Sequence, residues 1–195
     1  MKLHTILTTA LIPLWLAGNA RAADTYTIDP VHSNVGFTVK HMVINNVRGK
    51  FNEFTGTIVV DNNAIQEAKG TIQTKSIDTG IAKRDEHLRS ADFFDVTKYP
   101  TITFVSKRVE KRGDETLLVG DYTMHGVTKE LSLPATLSGP VKDFQGNYRI
   151  GLEAKAKLNR KEYGLQYSQA LETGGLVVGD EVQLEINAEA VRPGK

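Results

Sequence analysis

The chain has 195 residues, a formal net charge of +1, 24% charged and 40% hydrophobic residues. That length suits one domain, and the charge leaves no basic excess to hold nucleic acid. Cysteine is absent, which excludes a disulfide framework, a thiol nucleophile and an all-cysteine metal site.

Residues 1–22 read as a cleavable export signal. Met1-Lys2 is a short positive start, Leu3 to Leu16 is largely apolar, and Ala20-Arg21-Ala22 has the small-x-small cleavage pattern. The apolar run is shorter than the roughly 20 residues a stable membrane span needs, although an uncleaved anchor is the alternative. Cleavage after Ala22 predicts a periplasmic protein, residues 23–195, and loss of Lys2 and Arg21 turns the charge from +1 to −1. No polybasic run marks an anionic membrane surface.

From Ala23 onward, period-2 alternation dominates. Val35, Phe37, Val39 and His41 share one strand face, with Gly36, Thr38 and Lys40 on the other. A second strand covers Thr57 to Val60, with Gly49 and Gly56 expected at a bulge or bend. Asp61-Asn62-Asn63 predicts a turn, and Lys69 to Ile77 the next strand.

The segment from Arg84 to Phe104 breaks this pattern. Asp78 or Thr79 is expected to cap a helical stretch over about 80–97, and Asp85 and Arg89 stand at the spacing of an exposed ion pair. Pro100 then returns the chain to a strand. Phe93 and Phe94 suit either core packing or a ligand wall. Arg84, His87 and Arg89 suit either solvated surface or a pocket rim that meets an anionic head group.

Alternation resumes over Thr101 to Val109, followed by a turn at Lys111–Asp114. Leu117–Met124 and Val127–Leu137 flank His125-Gly126, a tight hairpin signal with His125 expected in solvent. Tyr148 to Leu158 and Val182 to Ala190 complete the set, the latter after a loop marked by Gly174-Gly175 and Gly179-Asp180.

About eight sequential antiparallel strands result, each with one apolar face, in one all-β domain. Eight such strands can close into a barrel wide enough for one small ligand; a two-sheet sandwich with a solid core is the alternative. Alternation nominates Val35, Phe37, Val39, Phe54, Ile58, Ile72, Phe104, Tyr122, Leu133 and Leu152 as wall residues, joined by Phe93 and Phe94. His41, Arg84, His87 and Arg89 are candidates for the rim.

Several blocks together resemble the YceI-like proteins, also described as polyisoprenoid-binding and lipocalin-like. They include Tyr26-x-Ile28-Asp29-x-x-His32-Ser33 and Val35-Gly36-Phe37-Thr38-Val39-Lys40-His41. The most specific is Arg84-Asp85-x-His87-Leu88-Arg89-Ser90-x-Asp92-Phe93-Phe94-Asp95, followed by Tyr99-Pro100-x-Ile102-x-Phe104 and Gly120-x-Tyr122-x-Met124-x-Gly126. The resemblance implies an eight-stranded antiparallel lipocalin-like barrel with a helical segment at one end. It also implies a long apolar pocket for an isoprenoid or similar lipid, export, and no established catalysis.

The residues agree with binding more than with catalysis. His32, His41, His87 and His125 form no zinc-peptidase spacing, and Ser33 and Ser90 sit in no nucleophile elbow. The leading expectation is therefore an exported, non-enzymatic carrier or store for an isoprenoid or other long-chain amphiphile, without cofactor or metal. A homodimer is left open. The rivals are a structural or interaction protein whose barrel is filled by its own side chains and, more weakly, a metal-assisted hydrolase using His32, His41 or His87.

Overall fold

The computed structural model describes residues 23–113, 115–169 and 176–194. The expected export signal over residues 1–22, Asp114 of the expected Lys111–Asp114 turn and the loop glycines Gly174 and Gly175 lie outside the described residues.

Eleven strand segments make one antiparallel sheet: β1 (Asp24–Ile28), β2 (Asn34–His41), β3 (Asn45–Phe51), β4 (Phe54–Asp61), β5 (Ala64–Gln73), β6 (Ile77–Asp78), β7 (Thr101–Arg112), β8 (Glu115–Met124), β9 (Val127–Lys142), β10 (Tyr148–Asn159) and β11 (Val178–Arg192). One helix, α1 (Ala82–Arg89), interrupts them.

Register reduces these segments to the eight expected strands. β1 and β2 both pair with β11 and are halves of one strand, broken by the single 3-10 turn Pro30–His32. β3 and β4 are likewise one strand bent at Asn52-Glu53, pairing with β2 and β1 in turn. The meander then runs β5, β7, β8, β9, β10 and β11, and closes where Thr27 meets Val191 and Val35 meets Ile186. Closure removes the open edges that a sandwich would have to protect.

The hairpins follow their turn chemistry. Asn62-Asn63 and His125-Gly126 take left-handed backbone, with φ of 48° and 60°, and 51° and 75°. Those residue types suit that region. His125 is half-buried rather than free in solvent, because its ring stacks 4.2 Å from that of Tyr99.

Gly49 and Gly56 mark no bulge: the β2–β3 ladder is unbroken from Val35 to His41, and Gly56 pairs regularly with Gly70. The irregularities fall instead at Val59/Val60, Ser106/Arg108, Arg149/Gly151 and Val178/Val182. Gly179 and Asp180, expected in a loop, lie within β11.

Two apolar clusters fill the barrel. Tyr26, Ile58, Leu118, Ile150 and Ala190 occupy the half nearer the β9–β10 turn. Phe51, Ile77, Ile102, Leu158 and Tyr163 occupy the half beneath α1. At the closure seam, Arg149 bridges three strands' worth of acids: Nη1 lies 3.0 Å from Asp29 Oδ2 and 2.5 Å from Glu189 Oε1, and Nε lies 2.8 Å from Asp143 Oδ2. With the His32 ring donating at 2.9 Å as well as Arg149, the Asp29 carboxyl is held down at about 2.

Candidate ligand cavity

The helical segment covers the barrel end at which β2 turns into β3. The helix is shorter than expected, ending at Arg89, and irregular turns carry the chain on to Pro100. Phe93 and Phe94 both face inward, which neighbouring positions on a helix, pointing roughly 100° apart, do less readily. Irregular backbone supplies the second inward position.

Its polar residues are used differently from their sequence expectation. Ile81 is the N-cap and offers no side-chain acceptor, while Asp78 Oδ1 accepts from the Gly80 amide at 2.8 Å. Asp85 is buried and accepts from the Thr79 amide at 2.9 Å and the Thr79 hydroxyl at 2.5 Å. Arg89 donates to the carbonyls of Lys75 at 2.7 Å and Ile77 at 2.6 Å. The expected exposed Asp85–Arg89 pair therefore does not form, because each partner is captured by backbone outside the helix.

Under this cover, three cavities follow one another along the barrel axis. The first holds about 100 Å³ among Val35, Phe54, Ile58, Ile72, Phe104, Tyr122, Leu133 and Leu152. The second, about 80 Å³, is bounded by Phe37, Val39, Phe93, Phe94 and again Tyr122. The third, about 220 Å³, shares Phe37, Val39 and Phe93 with the second and opens past His41, Arg84 and His87. Phe51, Ile102 and Tyr122 partition the first two, and Phe37 and Leu88 the last two.

The ten wall residues nominated by alternation, and Phe93 and Phe94 with them, thus line one or more of these cavities. Of the four rim candidates, His41, Arg84 and His87 border the third cavity; Arg89 borders none of the three. Arg84 is partly committed, with Nε 2.7 Å from Thr79 Oγ1 and Nη2 2.9 Å from Thr79 O. His87 stands edge-on to Phe93 and Tyr167, each ring 5.0 Å away, and its Nε2 lies 3.0 Å from Asp92 Oδ2.

Other lining residues lie outside the sequence expectation. Leu184 and Ile186 sit in the alternating run of β11 and were open to the same argument. Arg160 opens the 3-10 helix Arg160–Tyr163 that follows β10, and Tyr167 lies in irregular chain beyond it, where no strand periodicity points to them. Arg160 is 3% exposed, and its guanidinium donates to the carbonyls of Leu165 at 2.6 Å, Gly179 at 2.9 Å and Val178 at 3.2 Å. Burial pushes its pKa down, partly offset by Asp180 at 3.2 Å. Burial likewise pushes the Tyr122 phenol up, leaving it neutral within the wall.

The cavity surface is overwhelmingly aliphatic and aromatic, with Lys40, His41, Arg84 and His87 together beside the third cavity. Among the described residues, one group of metal-capable side chains converges: Asp29, His32 and Glu189. It lies apart from these cavities, and Arg149 already supplies positive charge to both carboxylates. His41 and His87 belong to no such group.

Residues 26–190 match the family described as the YceI-like domain. The chain is 39% identical over 183 residues to a UPF0312 protein of Pseudomonas aeruginosa (strain LESB58), and 40% identical over 183 residues to Protein YceI of Escherichia coli O157:H7; each match covers 92% of both chains. Among solved structures, a Campylobacter jejuni YCEI protein superposes with a TM-score of 0.68 at 31% identity, covering 78% of this chain and 89% of that one. A polyisoprenoid binding domain from Saccharophagus degradans shares the fold at a TM-score of 0.65 and 17% identity, covering 86% and 98%.

Proposed function

The chain belongs to the YceI-like family, and from that premise we propose that it is an exported carrier or store for an isoprenoid or comparable long-chain amphiphile. The observation that carries this reading is the succession of three apolar cavities ending at one polar mouth. A linear hydrocarbon suits such a path, gaining about 0.8 kcal/mol per buried methylene before association costs. Its polar head would remain beside Lys40, His41, Arg84 and His87. The fold shared with a polyisoprenoid binding domain agrees with this ligand class. Export through residues 1–22 would place the carrier in the periplasm.

Threading a long chain requires the partitions to move. A cavity of about 150 Å³ takes one benzene, so neither the first nor the second cavity alone holds more than a few carbons. Rotation of Phe37, Phe51 and Leu88 would join all three. The same narrowness favours one rival, a barrel filled by its own side chains and working through its surface.

Mass spectrometry of the protein purified with whatever it retains separates the two. A stoichiometric isoprenoid or fatty-chain species supports the carrier. No lipid after organic extraction, together with no uptake of added polyprenol, supports the filled barrel.

A further inference from the structure

The loop joining β2 to β3 is built against its own backbone. Met42 and Val43 have φ of 50° and 66°, the left-handed region that Asn62, Asn63, His125 and glycines occupy elsewhere in this molecule. A β-branched residue there is an outlier with a conformational cost. The loop nevertheless exposes its side chains: Met42 is 41%, Val43 63% and Ile44 86% exposed. Strain and exposed apolar surface at one place mark a recognition element more readily than a folding element.

Its position supplies the context. The Met42 amide donates to the Val177 carbonyl at 3.0 Å, and His41 and Val177 border the third cavity. The tip therefore stands beside the mouth. At the same barrel end, Ile81 at the entry to α1 is 53% exposed.

Charge points to the occupant. Residues 30–52 contain no aspartate or glutamate, while the solvent face of the β2–β3 hairpin carries Lys40 and Arg48 near the tip; Lys50, farther along β3, stands opposite Asp78 of β6. These cations alternate with inward residues, so they form no run in the sequence and become a patch only when the strands pair. An apolar tip backed by cations is the arrangement that enters the interface of an anionic bilayer.

We infer that the Met42–Ile44 tip inserts into an anionic membrane surface and seats the mouth of the cavity against the lipid it loads or delivers. The inference rests on the carrier reading for its purpose, but the membrane contact is measurable without any cargo.

The test uses sedimentation with vesicles of equal parts phosphatidylglycerol and phosphatidylethanolamine, against vesicles of phosphatidylcholine. The purified protein is compared with M42N/V43G/I44S, whose Asn and Gly suit the left-handed backbone and leave the cavity lining untouched, and with R48E. The wild type is expected to bind the anionic vesicles at least tenfold more tightly than the neutral ones, more weakly as salt rises. Each variant is expected to lose at least tenfold while retaining wild-type thermal stability or better.

Equal binding by the wild type and the tip variant, or no binding by the wild type, overturns the inference even if a lipid co-purifies. A dimer in vesicle-free solution that the tip variant abolishes also overturns it, assigning the tip to a second copy. Tip-dependent binding by a protein that takes up no polyprenol upholds the membrane surface and removes the carrier reading.

Discussion

The ring of Phe37 occupies the place where a side chain of Gly49, its cross-strand partner, would stand. A Cβ at Gly49 would collide with Phe37 Cζ and Cε1, and would lie 2.9 Å from Thr79 Cγ2. The glycine thus fixes where the aromatic partition between the second and third cavities rests, and lets the entry to α1 pack down on β3.

Gly49→Ala is expected to push the Phe37 ring into the cavity. Overpacking of this kind costs about 1–3 kcal/mol. Urea denaturation should show that loss, and uptake of a dye that fluoresces in apolar pockets should fall. Unchanged stability and uptake would mean the Phe37 ring has room that the packing denies.

Filling the first cavity separates binding from stability. Ala154 is 3% exposed and lines that cavity, so Ala154→Leu should add apolar contact where there is now a void. Stability is expected to rise by about 0.5–2 kcal/mol, a normal yield for cavity filling, while retained lipid disappears. Retention of lipid at wild-type levels would place the ligand elsewhere.

Charge inside the barrel has a similar use. Phe104→Asp places a carboxylate in the wall of the first cavity, where an unpaired charge is strongly disfavoured. The variant is expected to lose all co-purifying lipid, measured by mass spectrometry alongside circular dichroism as a check on folding.

Arg160→Met tests the buried cation under the mouth. Three backbone carbonyls would lose their donor, while Asp180 keeps Lys161 at 3.0 Å, and a buried acceptor left unsatisfied commonly costs about 1–3 kcal/mol. The thermal midpoint should fall accordingly. A shift within error would mean water replaces the guanidinium at no cost.

The seam around Arg149 predicts a definite acid response. His32 and Arg149 depress the Asp29 pKa from 3.8 to about 2, and Arg149 depresses that of Asp143 as well. A depressed carboxylate favours the folded state above its unfolded pKa and loses that advantage as pH falls through the folded value. The stability gap between wild type and Arg149→Met should therefore be full above about pH 4 and close toward about pH 2. Urea titrations at several pH values measure it, and a pH-independent gap would assign the effect to packing alone.

Alternation in the sequence was enough to count eight strands, to order them and to point ten residues toward the cavities, because side-chain direction in a strand repeats every two residues and is a local property. Closure does not follow from the same count, since alternation equally suits a two-sheet sandwich; the pairing of β1 and β2 with β11 decides it. The glycines were read less well: Gly49 signalled a bulge by composition, yet its purpose is the Phe37 ring, which reaches it only across the ladder.

The helical cover shows most clearly what the sequence leaves undecided. Arg84, Asp85, His87 and Arg89 are equivalent charged positions along the chain, but only folding separates them. Arg89 and Asp85 are consumed by Lys75, Ile77 and Thr79, while His87 is turned to the mouth beside Tyr167. Likewise, Lys40 and Arg48 come together only once β2 pairs with β3. Periodicity dictates which face a strand residue takes; which carbonyl captures a charge, and which cations gather, depends on chain segments that meet only in the folded barrel.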